Sequence, residues 1–155
     1  MRKVWKKFVT VCGCLAAASV GIVPVPAAEV GVNERQGVMA VEDTYTPRTR
    51  GRVFYQGYIQ LTDHDGVAGI HGETLAEVEA DEVGLNLYLE KYNGSNFDSY
   101  KYWKTVEYNV SKNIKSYQIS VPQGYYYRLR GFHYVDADGI YESGGTITEG
   151  LKIPQ

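Results

Sequence analysis

Val83-Gly84-Leu85-Asn86-Leu87-Tyr88-Leu89-Glu90-Lys91-Tyr92 is the stretch that decides the fold. Val83, Leu85, Leu87 and Leu89 share one parity; Asn86, Tyr88 and Glu90 take the other. A period of two over this length is a β-strand with one buried face. Asn93-Gly94-Ser95-Asn96 follows as a turn signal.

The same period runs outward in both directions. Upstream, Ile59 and Leu61 alternate with Tyr58, Gln60 and Thr62, and Ile70, Thr74 and Ala76 share one parity. Leu75, Val78 and Glu82 have helical spacing, so Thr74 to Glu82 is expected to hold a helical turn. Downstream, Tyr100 to Val110 reads as a strand, with Trp103 opposite in parity to Tyr102, Val106, Tyr108 and Val110, which points to a bulge or a two-sided strand. Tyr117, Ile119 and Val121 alternate before the Pro122-Gln123-Gly124 turn. Tyr125, Tyr127, Leu129, His133 and Val135 form one face of the next strand, and Tyr126, Arg128, Arg130 and Tyr134 the other. The last strand is expected over about residues 146–153, with Ile147, Leu151 and Ile153 inward and a bulge at Gly150. About seven short strands separated by turn signals predict an all-β fold, a single antiparallel β-sandwich. The 14 tyrosines and 17 glycines among 155 residues favour strands and turns in the same way.

Residues 1–27 read as an address. Arg2, Lys3, Lys6 and Lys7 precede an apolar run from Phe8 to about Val25, and Val25-Pro26-Ala27 suits signal peptidase. A retained anchor is the alternative, but Pro24 and Pro26 break the end of the run. Both cysteines, Cys12 and Cys14, lie inside this segment, so the secreted domain is expected to have neither disulfide nor thiol nucleophile. The four basic residues leave with it, and 12 basic against 18 acidic residues give a net charge of −6. That balance lacks the basic footprint of a nucleic-acid binder. The mature chain is expected to be extracellular, monomeric and not inserted in a membrane. Residues 28–52 read as a flexible arm ending in the basic segment Arg48-Thr49-Arg50-Gly51-Arg52, a candidate processing site. Residues 53–155 make the domain.

Gly124-Tyr125-Tyr126-Tyr127-Arg128-Leu129-Arg130-Gly131 resembles the start of strand F in immunoglobulin-like domains, where a tyrosine bonds back to upstream backbone. The resemblance implies that role for Tyr125 or Tyr127. It extends to architecture alone, because the Cys–Trp–Cys hallmark is absent. Gly72-Glu73-Thr74-Leu75-Ala76, the Gly124–His133 run, Glu142-Ser143 and Thr146-Ile147-Thr148 are similar to a family of small secreted proteins from Gram-positive, Clostridia-like bacteria, a domain of unknown function. That likeness covers roughly residues 55–153 and implies export and a bacterial source, but no activity.

Candidate chemistry is sparse. Asp63-His64-Asp65-Gly66 and Asp136-Ala137-Asp138-Gly139 each supply two carboxylates and a turn glycine, so Asp63, Asp65, Asp136 and Asp138 are the calcium candidates. Neither loop carries the remaining ligands, and Asp-Gly also makes ordinary hairpin turns, so no metal or cofactor is assigned. His64, His71 and His133 lack the spacing of a zinc site. No Gly-x-Ser-x-Gly element exists. Glu77, Glu79, Asp81 and Glu82 could pair for a small extracellular hydrolase, or form a solvated acidic edge. A secreted toxin or antimicrobial protein fits the size but has no motif. The richest signal is aromatic. Tyr126, Arg128, Arg130 and Tyr134 share an outward parity, with Trp103 nearby in the sequence, and Tyr and Arg are the residues that dominate binding hot spots. The expectation is a non-catalytic module that binds a protein or a glycan through this stripe. Packing of tyrosines across strands, with arginine stems over them, is the structural alternative.

The processing expectation is checked directly. N-terminal sequencing of protein from culture supernatant is expected to begin at Ala28, and an intact Met1 start in the membrane fraction would refute cleavage.

Overall fold

The computed structural model describes residues 39–47 and 52–155. Residues 1–27, expected to be a signal segment, with both cysteines, and Arg48 to Gly51 lie outside the described residues. Seven strands form one antiparallel sheet: β1 (Met39–Tyr45), β2 (Phe54–His64), β3 (Val67–Tyr92), β4 (Phe97–Ser120), β5 (Tyr126–Ala137), β6 (Ile140–Ile147) and β7 (Leu151–Lys152). The order is β1-β2-β3-β5-β6, with β4 along the other side of β3 and β7 beside β5.

β3 organises the rest. At 26 residues it is far longer than an ordinary strand. Its first half, from Val67, lies between β2 and β4; its second half, to Tyr92, lies between β5 and β4. The ladder to β4 is interrupted between Leu75 and Ala80, and Asn109 of β4 takes a φ of 54° beside the same break. Both strands therefore fold over on themselves at one place. Thr74 reaches across the bend to the Gly84 carbonyl at 3.0 Å. Trp103 stacks on Tyr117 with centroids 5.0 Å apart. The sheet curls nearly into a barrel. Its far edges meet where Asp43 of β1 accepts the Ile147 N–H of β6 at 2.8 Å. There the Glu142 carboxylate of β6 also accepts the N–H groups of Arg52, Val53 and Phe54 at 2.8–3.0 Å. Desolvation pushes the Glu142 carboxyl up, but those three N–H bonds outweigh it and hold the group below its ordinary value.

Two clusters fill the interior. Ile59, Leu61, Ile70, Leu85, Leu87, Leu89, Tyr127, Leu129, Leu151 and Ile153 make the larger one, and Ile119 joins it half-buried. Val53, Phe54, Ala80, Val83, Val135 and Ala137 make the smaller one at the bend. Tyr127 places its hydroxyl 2.8 Å from the Pro122 carbonyl, the back-bond expected of Tyr125 or Tyr127. Tyr125 instead stands exposed beneath the Lys91 ammonium.

Several elements differ from expectation. Thr74 to Glu82 holds no helical turn: it is extended on both sides of the bend, and Ala80 is buried. Four expected strands are two, because β3 and β4 bend without leaving the sheet. Seven residues of the expected arm form β1, which pairs with β2 from Met39↔Asp63 to Tyr45↔Gly57. Ile147 is exposed while Leu151 and Ile153 are buried, because the chain changes face between β6 and β7.

His133 is fully buried in the interior. Thr74 Oγ1 is 2.9 Å from its Nδ1 and Thr146 Oγ1 is 2.9 Å from its Nε2. Since Thr74 spends its proton on Gly84, His133 Nδ1–H donates and Nε2 accepts. Burial pushes its pKa down from 6.5 to about 4, against a smaller upward pull from a backbone bond at Glu73 and the Asp43 charge. The native state thus refuses a proton that the unfolded chain accepts. Stability is complete above the unfolded value and is lost as pH falls from 6.5 toward 4. Urea melts are expected to show a loss of roughly 2 kcal/mol between pH 7.5 and pH 5. A His133→Asn variant should lack that slope, and a flat wild-type profile would refute the assignment.

Candidate binding face

The outward row of β5 lies on the convex side of the sheet, beside the second half of β3. Register brings Arg128 opposite Glu90, Arg130 opposite Tyr88, Phe132 opposite Asn86 and Tyr134 opposite Gly84. On the far side of β3, Tyr102 faces Tyr88 and Tyr108 faces Glu82. β6 sets Tyr141 opposite Asp136, diagonal to Tyr134, and β7 sets Lys152 opposite Tyr126. Alternation along four strands therefore places Tyr88, Tyr102, Tyr108, Tyr126, Phe132, Tyr134 and Tyr141 on one face.

The rings touch in groups. Tyr88 and Tyr102 stack at 6.4 Å, Tyr134 and Tyr141 at 5.6 Å, and Phe132 leans on Tyr134 at 6.3 Å. Tyr134 lies directly over Gly84, where a Cβ would stand only 1.8 Å from its ring. The glycine is what lets the ring lie flat on the sheet. Burial, followed by the charge of Glu82, raises the Tyr134 pKa, so its hydroxyl stays protonated at neutral pH. Tyr102 and Tyr126 are the open end of the surface, 67% and 46% exposed.

Glu90 orders the two arginines. Its carboxylate is almost buried and accepts Arg128 Nε at 2.7 Å and Arg130 Nε at 3.1 Å. The guanidinium of Arg128 then lies 4.2 Å from the Phe97 ring centre, and that of Arg130 4.7 Å from Tyr88. One anion thus fixes two cations, and each cation covers a ring. Asn86, between Lys104 and Phe132 in register, carries an enclosed Oδ1 with no hydrogen-bond partner among the described residues.

The structure brings Tyr126, Arg128, Arg130 and Tyr134 to this face and takes Trp103 away from it. Trp103 pairs with the buried Leu87, so its side chain turns inward, onto Tyr117. The sequence left out Glu90, Tyr88, Phe97 and Tyr141. Glu90 had a signal: it shares the outward parity of Tyr88, and a carboxylate beside two outward arginines on a neighbouring strand is a natural clamp. Which strand neighbours which was the missing fact.

The other candidates are dispersed. Asp65 and Gly66, and likewise Asp138 and Gly139, have positive φ, the geometry of two-residue hairpin turns. Asp63 accepts the Gly66 N–H, and Asp81 accepts the Asp138 N–H. The first turn sits against Val121 and Gln123, whereas Asp136 pairs with Glu82 beside the bend. The two aspartate pairs therefore occupy different ends of the sheet. Among the described residues, no group of three or more His, Cys, Asp or Glu side chains is placed to hold a metal ion. Glu77 and Glu79 are exposed at the bend beside Asp81.

Comparison with known proteins is brief: no curated protein and no solved structure matches the chain. The model of a family of unknown function, DUF6147, matches residues 28–151, and the chain belongs to that family.

Proposed function

We propose that the protein is a secreted, non-catalytic bacterial binding module, monomeric, whose aromatic face takes a glycan chain at a cell surface. Export rests on the charged start, apolar run and Val25-Pro26-Ala27 end of the leader. In fold terms we take the curled sheet as an immunoglobulin-like, two-layer relative, on the strength of the Tyr127–Pro122 bond. The observation that carries the function is the tyrosine platform held by Glu90. Its exposed members, Tyr102, Tyr108, Tyr126 and Tyr141, combine an apolar ring with a hydroxyl. A sugar ring is amphipathic in the same sense, with a C–H face and a hydroxyl rim. A protein hot spot also uses tyrosine and arginine, but seated in a well-packed, desolvated pocket, whereas these rings stand open on a sheet face. The hydrolase alternative loses ground because Asp63 and Asp81 are engaged in turns.

Tyr102→Ala with Tyr126→Ala removes two of the four open rings and leaves the Glu90 clamp intact. On a glycan array and in pull-down with cell-wall polysaccharide, the double variant is expected to bind more weakly by about 1–3 kcal/mol. Its melting temperature should stay near wild type. Equal retention of both proteins would eliminate this face, and capture of a protein in place of glycan would replace the ligand class.

A further inference from the structure

The opposite outer surface, built from β2 and the folded-back halves of β3 and β4, carries a different chemistry. Two rows cross it in register: Thr62, Gly69 and Gln118, then Gln60, His71 and Ser116. Gly69 contributes no side chain, and the side chains of Thr62 and His64 lean over it. The result is a groove of about 480 Å³ lined by Gln60, Thr62, His64, His71, Ser116 and Gln118. That volume is in the range of small-molecule sites.

Its hydrogen bonds fix what the groove offers. Glu73 Oε1 lies 2.8 Å from His71 Nε2, and a carboxylate accepts, so the neutral ring carries its proton there. His71 Nδ1 then accepts from the Ser116 hydroxyl at 2.8 Å, which leaves the serine oxygen's lone pairs open. The Thr62 hydroxyl donates to the Gly69 carbonyl at 3.3 Å and receives His64 Nε2–H at 3.1 Å, which leaves His64 Nδ1 as an acceptor. Gln60 spends its amide N–H on Glu42 at 3.3 Å and keeps its carbonyl oxygen. Gln118 makes no side-chain hydrogen bond among the described residues. Three open acceptors, Ser116 Oγ, His64 Nδ1 and the Gln60 carbonyl, and the Gln118 amide therefore line the groove. An anion would meet mostly acceptors. A cation would find Glu73 and Glu42 already engaged, the latter also by the Tyr58 hydroxyl at 2.6 Å.

We infer that this groove is a second binding site, for a neutral polyhydroxylated ligand: one or more sugar units that donate hydroxyl protons to Ser116, Gln60 and His64 and bond both ways with Gln118. The Ser116–His71–Glu73 line has the order of a hydrolase relay. Among the described residues, the donors left in the groove are the side-chain amides of Gln118 and Gln60 rather than a fixed oxyanion hole, however, so the line serves to orient Ser116 as an acceptor. This site faces away from the aromatic platform and stands on separate residues, so it does not depend on that proposal.

The test titrates the purified secreted protein, isotope-labelled for NMR, with cellotetraose, mannotetraose and N-acetylchitotetraose. At least one is expected to shift the amides of Gln60, Gly69, His71 and Gln118. The Ser116→Ala/Gln118→Ala variant changes two exposed side chains and is expected to weaken that titration by about tenfold or more. The Tyr102→Ala/Tyr126→Ala variant should leave it unchanged. Shifts confined to the aromatic platform, no titration with any of the three, or equal affinity in the groove variant would each overturn the inference. Ser116-dependent cleavage of p-nitrophenyl acetate would overturn it in favour of a hydrolase.

Discussion

Everything in this fold follows from one ribbon that bends. β3 and β4 stay paired through most of their length, yet the pairing breaks between Leu75 and Ala80, and Asn109 turns at positive φ beside it. A regular ladder of that length would be a flat, two-sided ribbon with no core. Folding it over sets Ile70 of one half and Leu85, Leu87 and Leu89 of the other in a single cluster. β2 and β1 then extend one half and β5, β6 and β7 the other. The hydrophobic effect supplies the driving force, since the leucine row has no other place to leave water. The break supplies the geometry.

Polar groups hold the seams that this folding creates. His133 joins β5 to Thr74 of β3 and Thr146 of β6, Glu142 ties β6 to the start of β2, and Glu90 binds β3 to β5. His133 uses both ring nitrogens, Glu142 accepts three N–H groups and each Glu90 oxygen accepts one arginine N–H, which matters because an unsatisfied buried polar group costs more than an apolar one of the same shape. His133 and Glu142 differ in what acid does to them. His133 is destabilising when protonated, whereas Glu142 loses its grip only when its carboxylate is neutralised, below the ordinary glutamate range. The histidine seam is therefore the first to feel a falling pH.

Alternation made the interior legible. Leu85, Leu87, Leu89, Tyr127, Leu129 and Leu151 could be assigned inward from parity alone, whereas the back-bond was implied for Tyr125 or Tyr127 only by the resemblance to strand F, and Tyr127 makes it. What parity could not convey was connectivity. A bend inside a strand leaves the same local signature as a turn between two strands, so β3 and β4 each read as a pair. The helical spacing of Leu75, Val78 and Glu82 arises because the break shifts the period at that point, leaving Val78 exposed and Ala80 buried. Met39 to Tyr45 has too little apolar character to read as a strand, since mostly Val41 and Tyr45 face the core. Trp103 lies off the platform because its register partner Leu87 points inward, a pairing that sequence parity does not reveal. The Tyr126, Arg128, Arg130 and Tyr134 row was legible because it lies on one unbroken strand. The groove over Gly69 was not, because its rows are drawn from three strands.

The bend also determines how the two outer surfaces relate. Folding a ribbon over turns its outward sides in opposite directions, so the platform on β5 and the groove on β2 cannot merge into one site. Their chemistries diverge accordingly. The platform concentrates rings and guanidinium groups around a single carboxylate, while the groove collects neutral amides, imidazoles and hydroxyls around a missing side chain. Both sit on strands rather than loops, and most of their side chains, Gln118 excepted, are held by hydrogen bonds or stacking, which lowers the conformational entropy lost on meeting a ligand.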